Sequence, residues 1–229
     1  KMQKLVDKLL SENDFDAVII CTSDGTHADI AVPALTADKF IFLEKPLEIT
    51  YKRCMNIIHA DKKKGGRTFV GFNLRFAPVY SKIHELIIKG TIGDILTIET
   101  NEHYSGGRGY FRRWNRFRQF GGGLWITKSC HDFDLLYWMA GSEPESICAF
   151  DNLSFYKPRD ETPLFCRDCD RKDTCPDSYY QHYDPEKLKF KLDKADEDAT
   201  GNRMDLCLFN SDKDTFDHGT ALVKFKNGA

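Results

Sequence analysis

Lys128 and His131 lie three residues apart in a stretch, Leu124 to Ala140, that holds no helix breaker. At that spacing an amine and an imidazole share one face of a helix, with Leu135 and Trp138 continuing the same face. Ile126, Cys130, Phe133 and Tyr137 cover another face, so the pattern predicts a helix from Leu124 to Ala140 that is apolar on most sides and buried between layers. A lysine and a histidine in such surroundings must be paired or must face a polar cavity, because an unpaired buried charge is costly. The plainer reading of His131 is a core histidine bonded to a backbone group. The lysine on its face favours a site instead.

Three further polar sets stand at the ends of short apolar runs. Asp16 to Thr22 is a short, continuously apolar, β-branched run, Phe40 to Glu44 reads as a second buried strand, and Thr68 to Phe72 as a third strand. The first suits a strand buried on both faces, as in a parallel sheet. Between them lie helical stretches, His27 to about Asp38 with a kink expected at Pro33, and Ile49 to Lys64 closed by Gly65-Gly66. Strand, helix, strand, helix, strand is half of a doubly wound α/β domain. In such sheets ligands bind outside the carboxyl ends of the strands. Those ends carry Thr22 and Ser23, then Glu44 and Lys45, then Asn73 and Arg75. One polar residue there is ordinary solvation, whereas three separately encoded sets on one edge read as a site.

After residue 72 the pattern changes. A helix is expected from Pro78 to Lys89, an amphipathic strand from Ile95 to Tyr104, strands near Ser146 to Phe155 and Thr220 to Phe225, and an exposed charged segment from Asp184 to Asp205. This reads as a second, α+β domain. Arg108, Arg112, Arg113, Arg116 and Arg118 alternate with aromatic rings in one loop, where surface packing and a lid over an anionic ligand are both open readings. A formal net charge of −2 argues against nucleic acid or an anionic membrane as partner, and no apolar run is long enough to span a bilayer. The chain is expected to be cytoplasmic. Eight cysteines are moderate usage for such a chain, and only Cys166, Cys169 and Cys175 cluster. Their spacing fits a structural zinc, with His182 or Cys207 as fourth ligand, as well as it fits reduced packing cysteines.

Thr22-Ser23-Asp24-Gly25-Thr26-His27, Glu44-Lys45-Pro46, Gly71 to Pro78, Gly90-Thr91-Ile92-Gly93-Asp94 and Gly121-Gly122 followed by His131-Asp132-Phe133-Asp134-Leu135 come in one order from about Leu9 to Gly141. In this the chain resembles the Gfo/Idh/MocA oxidoreductases. The resemblance implies a Rossmann domain for NAD or NADP, here residues 1–72, and a substrate-binding and oligomerisation domain with an open, mostly antiparallel sheet, here residues 73–229. It implies hydride transfer between the nicotinamide and a secondary hydroxyl of a sugar, inositol or related polyol, and a homo-oligomer. His131 would then be the general base, a role that suits an imidazole, whose ordinary pKa is about 6.5. Lys45 would hold and polarise the reacting oxygen beside the nicotinamide, while Thr22, Ser23, His27, Glu44 and Arg75 would contact the cofactor. Many members carry aspartate four residues before the histidine; this chain has Thr127 there, with Lys128 beside it as a substitute substrate ligand. Ser23 stands where proline is common, and the glycine-rich pyrophosphate fingerprint is absent, since Gly106-Gly107-Arg108-Gly109 opens no helix of a βαβ unit. The chain is therefore read as a fragment that begins inside the Rossmann domain. A non-catalytic sensor on the same fold and a zinc-dependent interaction module are the rival readings.

Overall fold

A computed structural model describes residues 2–12, 14–104, 109–201 and 203–229, apart from the side chains of residues 2, 182 and 200. It divides into two compact units, one of residues 1–101, 118–150 and 220–229, the other of residues 102–117 and 151–219.

In the first unit, β1 (Ala17–Ile20), β2 (Phe40–Leu43) and β3 (Thr68–Val70) pair side by side in parallel, with Ile19 opposite Phe42 and Phe42 opposite Phe69. The connections are α2 (His27–Thr36), which runs through Pro33, and α3 (Tyr51–Lys63). An amphipathic α1 (Met2–Glu12) precedes β1. Thr50 caps α3 by accepting from the Arg53 amide, and Gly65 and Gly66, both at positive φ, follow its end. Ile20, Ile41 and Leu43 pack with Ala28, Ala31, Ala34 and Leu35 of α2 and Ile57 of α3 into the core. The strands are buried on one face only, not on both as the apolar run of β1 suggested. They alternate, and the other face exposes Ile19, Phe42 and Phe69 in one row, because both connecting helices pack on the same side.

A turn of 3₁₀ helix (Asn73–Phe76) leads into α4 (Pro78–Ile88), begun by a proline that needs no amide partner there. Residues 95–104 form no strand: Ile92 and Leu96 are exposed, and among the described residues no strand pairs with this segment. Alternation alone does not make a strand without a neighbour to take up its backbone bonds. The long helix expected from Leu124 to Ala140 is divided, after a short α5 (Arg118–Gly121), into α6 (Leu124–Thr127) and α7 (Cys130–Ala140). Gly141, at positive φ, ends α7. The helices α4 and α7 pack together, His84 stacking on Trp138 at 3.9 Å. β4 (Pro144–Asn152) and β5 (His218–Phe225) form a two-stranded sheet whose end bonds, Asp217 N to Asn152 O and Lys226 N to Glu143 O, give antiparallel register.

The second unit gathers Phe111, Phe155, Tyr156 and Phe209 into an aromatic cluster. The charged segment contains α8 (Leu188–Thr200), which buries Phe190 against Tyr179 and Tyr183. Arg167 holds the buried Asp205 through two bonds of 2.7 Å and also reaches Glu197. Among the described residues no helix is long and apolar enough to cross a membrane.

Candidate active site

The turn after β1 is drawn against the rest of its unit because it contains Gly25. A Cβ there would lie 2.9 Å from Ile49 Cδ1 and 3.3 Å from the Phe120 carbonyl oxygen, so only glycine permits the approach. Thr26 Oγ1 lies 2.8 Å from Thr22 Oγ1 and 2.7 Å from Ser23 O, which keeps the two β1-end residues in a compact turn. His27 opens α2 and is fully buried. Its Nδ1 is 2.9 Å from Pro46 O and its Nε2 is 3.2 Å from Thr22 O, so the ring ties the β1 end to the turn after β2. That contact set makes His27 a clamp on the Lys45-Pro46 turn. Glu48, also buried, steadies the same turn from below, accepting from Ile49 N at 2.7 Å and from Arg53 Nε at 2.8 Å.

Lys45 follows β2, whose last register bond is Glu44 N donating to Ile20 O at 2.9 Å. The Glu44 carboxylate stays beside its own chain, 3.3 Å from the Lys45 amide. The Lys45 ammonium crosses to α6 and donates to the Thr127 carbonyl at 2.9 Å, 82 residues away. The division between α6 and α7 is what makes this possible. In an unbroken helix that carbonyl would accept from the His131 amide; here His131 N turns to Lys128 O, 3.5 Å away. The sequence-level helix thus fails at the position that receives the strand-end lysine.

His131 stands on the first turn of α7 with its ring edge-on to Phe72, centroids 6.0 Å apart. Lys128 lies in the break between the two helices, so it does not share a continuous helix face with His131. Arg75 is committed elsewhere in the unit: it grips Asp134 of α7 in a fork, Nε to Oδ2 at 2.8 Å and Nη2 to Oδ1 at 2.6 Å, and lies over the Trp138 ring. This bond raises the already high Arg75 pKa further. Its contact is with α7, and through it the β3 end is fastened to the helix that carries His131.

Two site residues were not singled out from the sequence. Asp24 is buried after β1, its carboxyl bonded to the Thr127 side chain, and burial raises its pKa while Thr127, His27 and Lys45 oppose the rise. Asp134 is the partner of Arg75. Both lie inside the motifs that carry the family resemblance, each three residues from a histidine, and that spacing was the available signal. Cys130, next to this group, is a thiol that burial pushes up to about 11.

Lys45, Thr127, Asp24 and Cys130 are therefore brought together, with His131 adjoining; Thr22, Ser23, His27 and Glu44 form the edge beside them. The cysteines are a different matter. Cys166, Cys169 and Cys175 line one cavity of about 300 Å³ together with Cys207, all reduced. Yet among the described residues no group of three or more His, Cys, Asp or Glu side chains is disposed to hold a metal ion. The spacing brings the thiols around a space rather than to a point, and Cys166 Sγ faces the Arg112 guanidinium at 3.8 Å. The structural zinc expected there is not supported; the His182 side chain lies outside the described residues. The arginine loop is likewise stitched into its own unit, Arg112 donating to Leu206 O and Asp177 O and Arg116 to Asp212 O, while residues 106–108 lie outside the described residues.

A parallel sheet with polar strand ends, followed by helices that return an imidazole toward them, defines a Rossmann-type oxidoreductase architecture. Family models agree: residues 2–72 match the oxidoreductase family's NAD-binding Rossmann fold and residues 84–182 its C-terminal alpha/beta domain. The chain belongs to the Gfo/Idh/MocA oxidoreductase family. It is 34% identical to YteT of Bacillus subtilis, which carries the name of an oxidoreductase, over 97% of this chain and 55% of that protein. It is 32% identical to an inositol 2-dehydrogenase of Rhizobium meliloti over 64% of this chain and 43% of the relative. Among solved structures, myo-inositol 2-dehydrogenase from Lactobacillus plantarum superposes with a TM-score of 0.60 at 16% identity, covering all of this chain and 51% of that one, which supports the fold alone. The chain spans about half the length of the relatives it matches.

Proposed function

We propose that the protein is an NAD(P)-dependent dehydrogenase acting on a secondary hydroxyl of a sugar, inositol or related polyol, with residues 1–72 as its nucleotide half and 73–229 as its substrate half. The observation that carries this reading is the 2.9 Å bond from Lys45 Nζ to Thr127 O, which holds a strand-end ammonium against the segment that leads into His131. The names of inositol dehydrogenases among the relatives support the substrate class.

The residues present fit a dinucleotide's polar groups: Thr22, Ser23 and Glu44 offer donors and acceptors at the carboxyl ends of β1 and β2, where such sheets take ligands. A bound nicotinamide supplies the hydride acceptor or donor. The protein's own part is position and charge. Lys45, with ammonium protons beyond the one given to Thr127, holds the reacting oxygen and stabilises the negative charge that develops on it. His131 takes the hydroxyl proton as general base. Lys128, at the break between α6 and α7, holds a substrate hydroxyl in place of the missing carboxylate at position 127. His27 keeps the Lys45 turn fixed, and Arg75 keeps α7 in register with the β3 end. Every residue of β4 is exposed, including Ile147 and Phe150, and Leu222 of β5 is exposed too, which supports assembly into a homo-oligomer through this sheet.

The test is a fluorescence titration of the full-length protein with NADH and NADPH, followed by turnover assays on a panel of inositols and sugars. Saturable binding with turnover supports the reading. Ligand binding without any turnover would favour a non-catalytic sensor, and binding of neither nucleotide by folded protein would sink it.

A further inference from the structure

Asp24 carries a cost that the fold does not explain. It is 7% exposed, and its Oδ2 has no hydrogen-bond partner among the described residues. It caps nothing: Ser23 is the residue before the 3₁₀ turn, and no side-chain capping bond forms there. Arg53, whose guanidinium reaches the neighbouring Gly25 O, is occupied by Glu48 and Asp29. A buried carboxyl oxygen left unsatisfied is costly, and such groups persist where they serve a site.

What Asp24 does face is the reaction centre. Its carboxyl bonds the side chain of Thr127, the residue whose carbonyl receives Lys45 Nζ. The charged and titratable groups around it come from three elements: His27 of α2, Lys45 after β2 and Cys130 of α7. Resting on the dehydrogenase reading above, we infer that Asp24 is a positioning residue of the reaction: through Thr127, and by its charge beside Lys45, it aims the ammonium at the reacting oxygen and balances its charge before that oxygen becomes negative. Residue 127 is a threonine, and the site's carboxylate arrives instead from the turn after β1.

Burial places the titration of Asp24 above the ordinary carboxylate range, so its charged form is gained later than usual as pH rises. The linkage has a definite sign. A carboxyl with a raised pKa in the fold contributes stability below its ordinary pKa that is lost as pH rises through the raised value. Removing its charge therefore helps the fold and harms the reaction.

The experiment compares wild type, Asp24→Asn, Thr127→Val and Thr127→Ser in the full-length protein by kcat/KM against pH, nucleotide affinity and unfolding midpoint against pH. Asp24→Asn is expected to lower kcat roughly 10²-fold, to leave NADH affinity unchanged, to move the acid limb of the rate profile, and to gain stability over wild type as pH rises. Thr127→Val shares the kinetic loss and Thr127→Ser restores most of it. Asp24→Asn with wild-type kcat and an unmoved acid limb overturns the assignment while the dehydrogenase reading stands. A wild type that binds neither nucleotide overturns both.

Discussion

The two units differ in how fully they pair their buried charge. In the second unit, Arg167 closes on Asp205 and Glu197, Arg112 on two backbone carbonyls, and Lys213 on Phe209 O and Ser211 O, so charge there is consumed in holding the unit together. In the first, which also pairs Arg75 with Asp134, Lys45 from the β2 end and Asp24 from the turn after β1 meet Thr127 of α6, and among the described residues one oxygen of Asp24 has no hydrogen-bond partner. Saturated clusters are scaffold, and a cluster with bonding capacity to spare is where a ligand can be recognised. By that criterion Arg112 and Arg116, conspicuous in the sequence, are spent on their own unit, and the proposed site takes in the quieter Ser23-Asp24-Gly25 turn.

The contrast can be broken most directly at Lys45. Lys45→Met should lower kcat/KM by roughly 10²- to 10⁴-fold with little change in unfolding midpoint; a fall in stability comparable to the fall in rate would make Lys45 scaffold too. Arg167→Ala should do the reverse, costing about 3 kcal/mol by stranding the buried Asp205, with activity per folded molecule retained. Burial alone would raise Asp205, but the Arg167 bonds hold it below the ordinary carboxylate range. That pair therefore contributes stability at neutral pH that is lost as pH falls through the lowered value, and chemical denaturation of wild type against Arg167→Ala across the acid range should show the difference shrinking.

Arg75→Lys should have a smaller, mixed effect. The fork to Asp134 becomes a single contact, costing about 1–2 kcal/mol, and kcat should fall a few-fold as α7 loosens under His131. Unchanged kinetics would separate the Arg75 pair from the site and sharpen the boundary between the two kinds of cluster. The smallest effect is expected from the cysteines. Chelator treatment should leave the unfolding midpoint unchanged, and elemental analysis of gently purified protein should find no stoichiometric zinc; a bound ion would mean that the 300 Å³ cavity can close on it.

Much of the fold around the candidate site was legible because it is encoded locally. Gly65-Gly66 after α3, Pro78 at the start of α4, and the apolar runs of β1 to β3 are short-range signals, and their alternation with helices marks a parallel α/β sheet. Thr22, Lys45 and Asn73 fall at strand ends for the same reason. The readings that failed were those where a local pattern needs a distant partner. Residues 95–104 alternate but find no strand to pair with among the described residues; the sheet has one covered face because both connecting helices pack on the same side; and the run from Leu124 to Ala140 has helical composition throughout, yet divides at Lys128 and Ser129.

The sequence by itself determined the family, the order of its motifs and the residue types available for proton and oxygen handling. Only the tertiary structure decided which of them meet. The Thr127 carbonyl is open to Lys45 because the helix breaks beyond it, Arg75 is spent on Asp134, and Asp24 loses water because Gly25 lets its turn pack closely. Each depends on contacts between segments far apart in the chain, where burial and the pairing of polar groups are set by the whole fold rather than by neighbours in sequence.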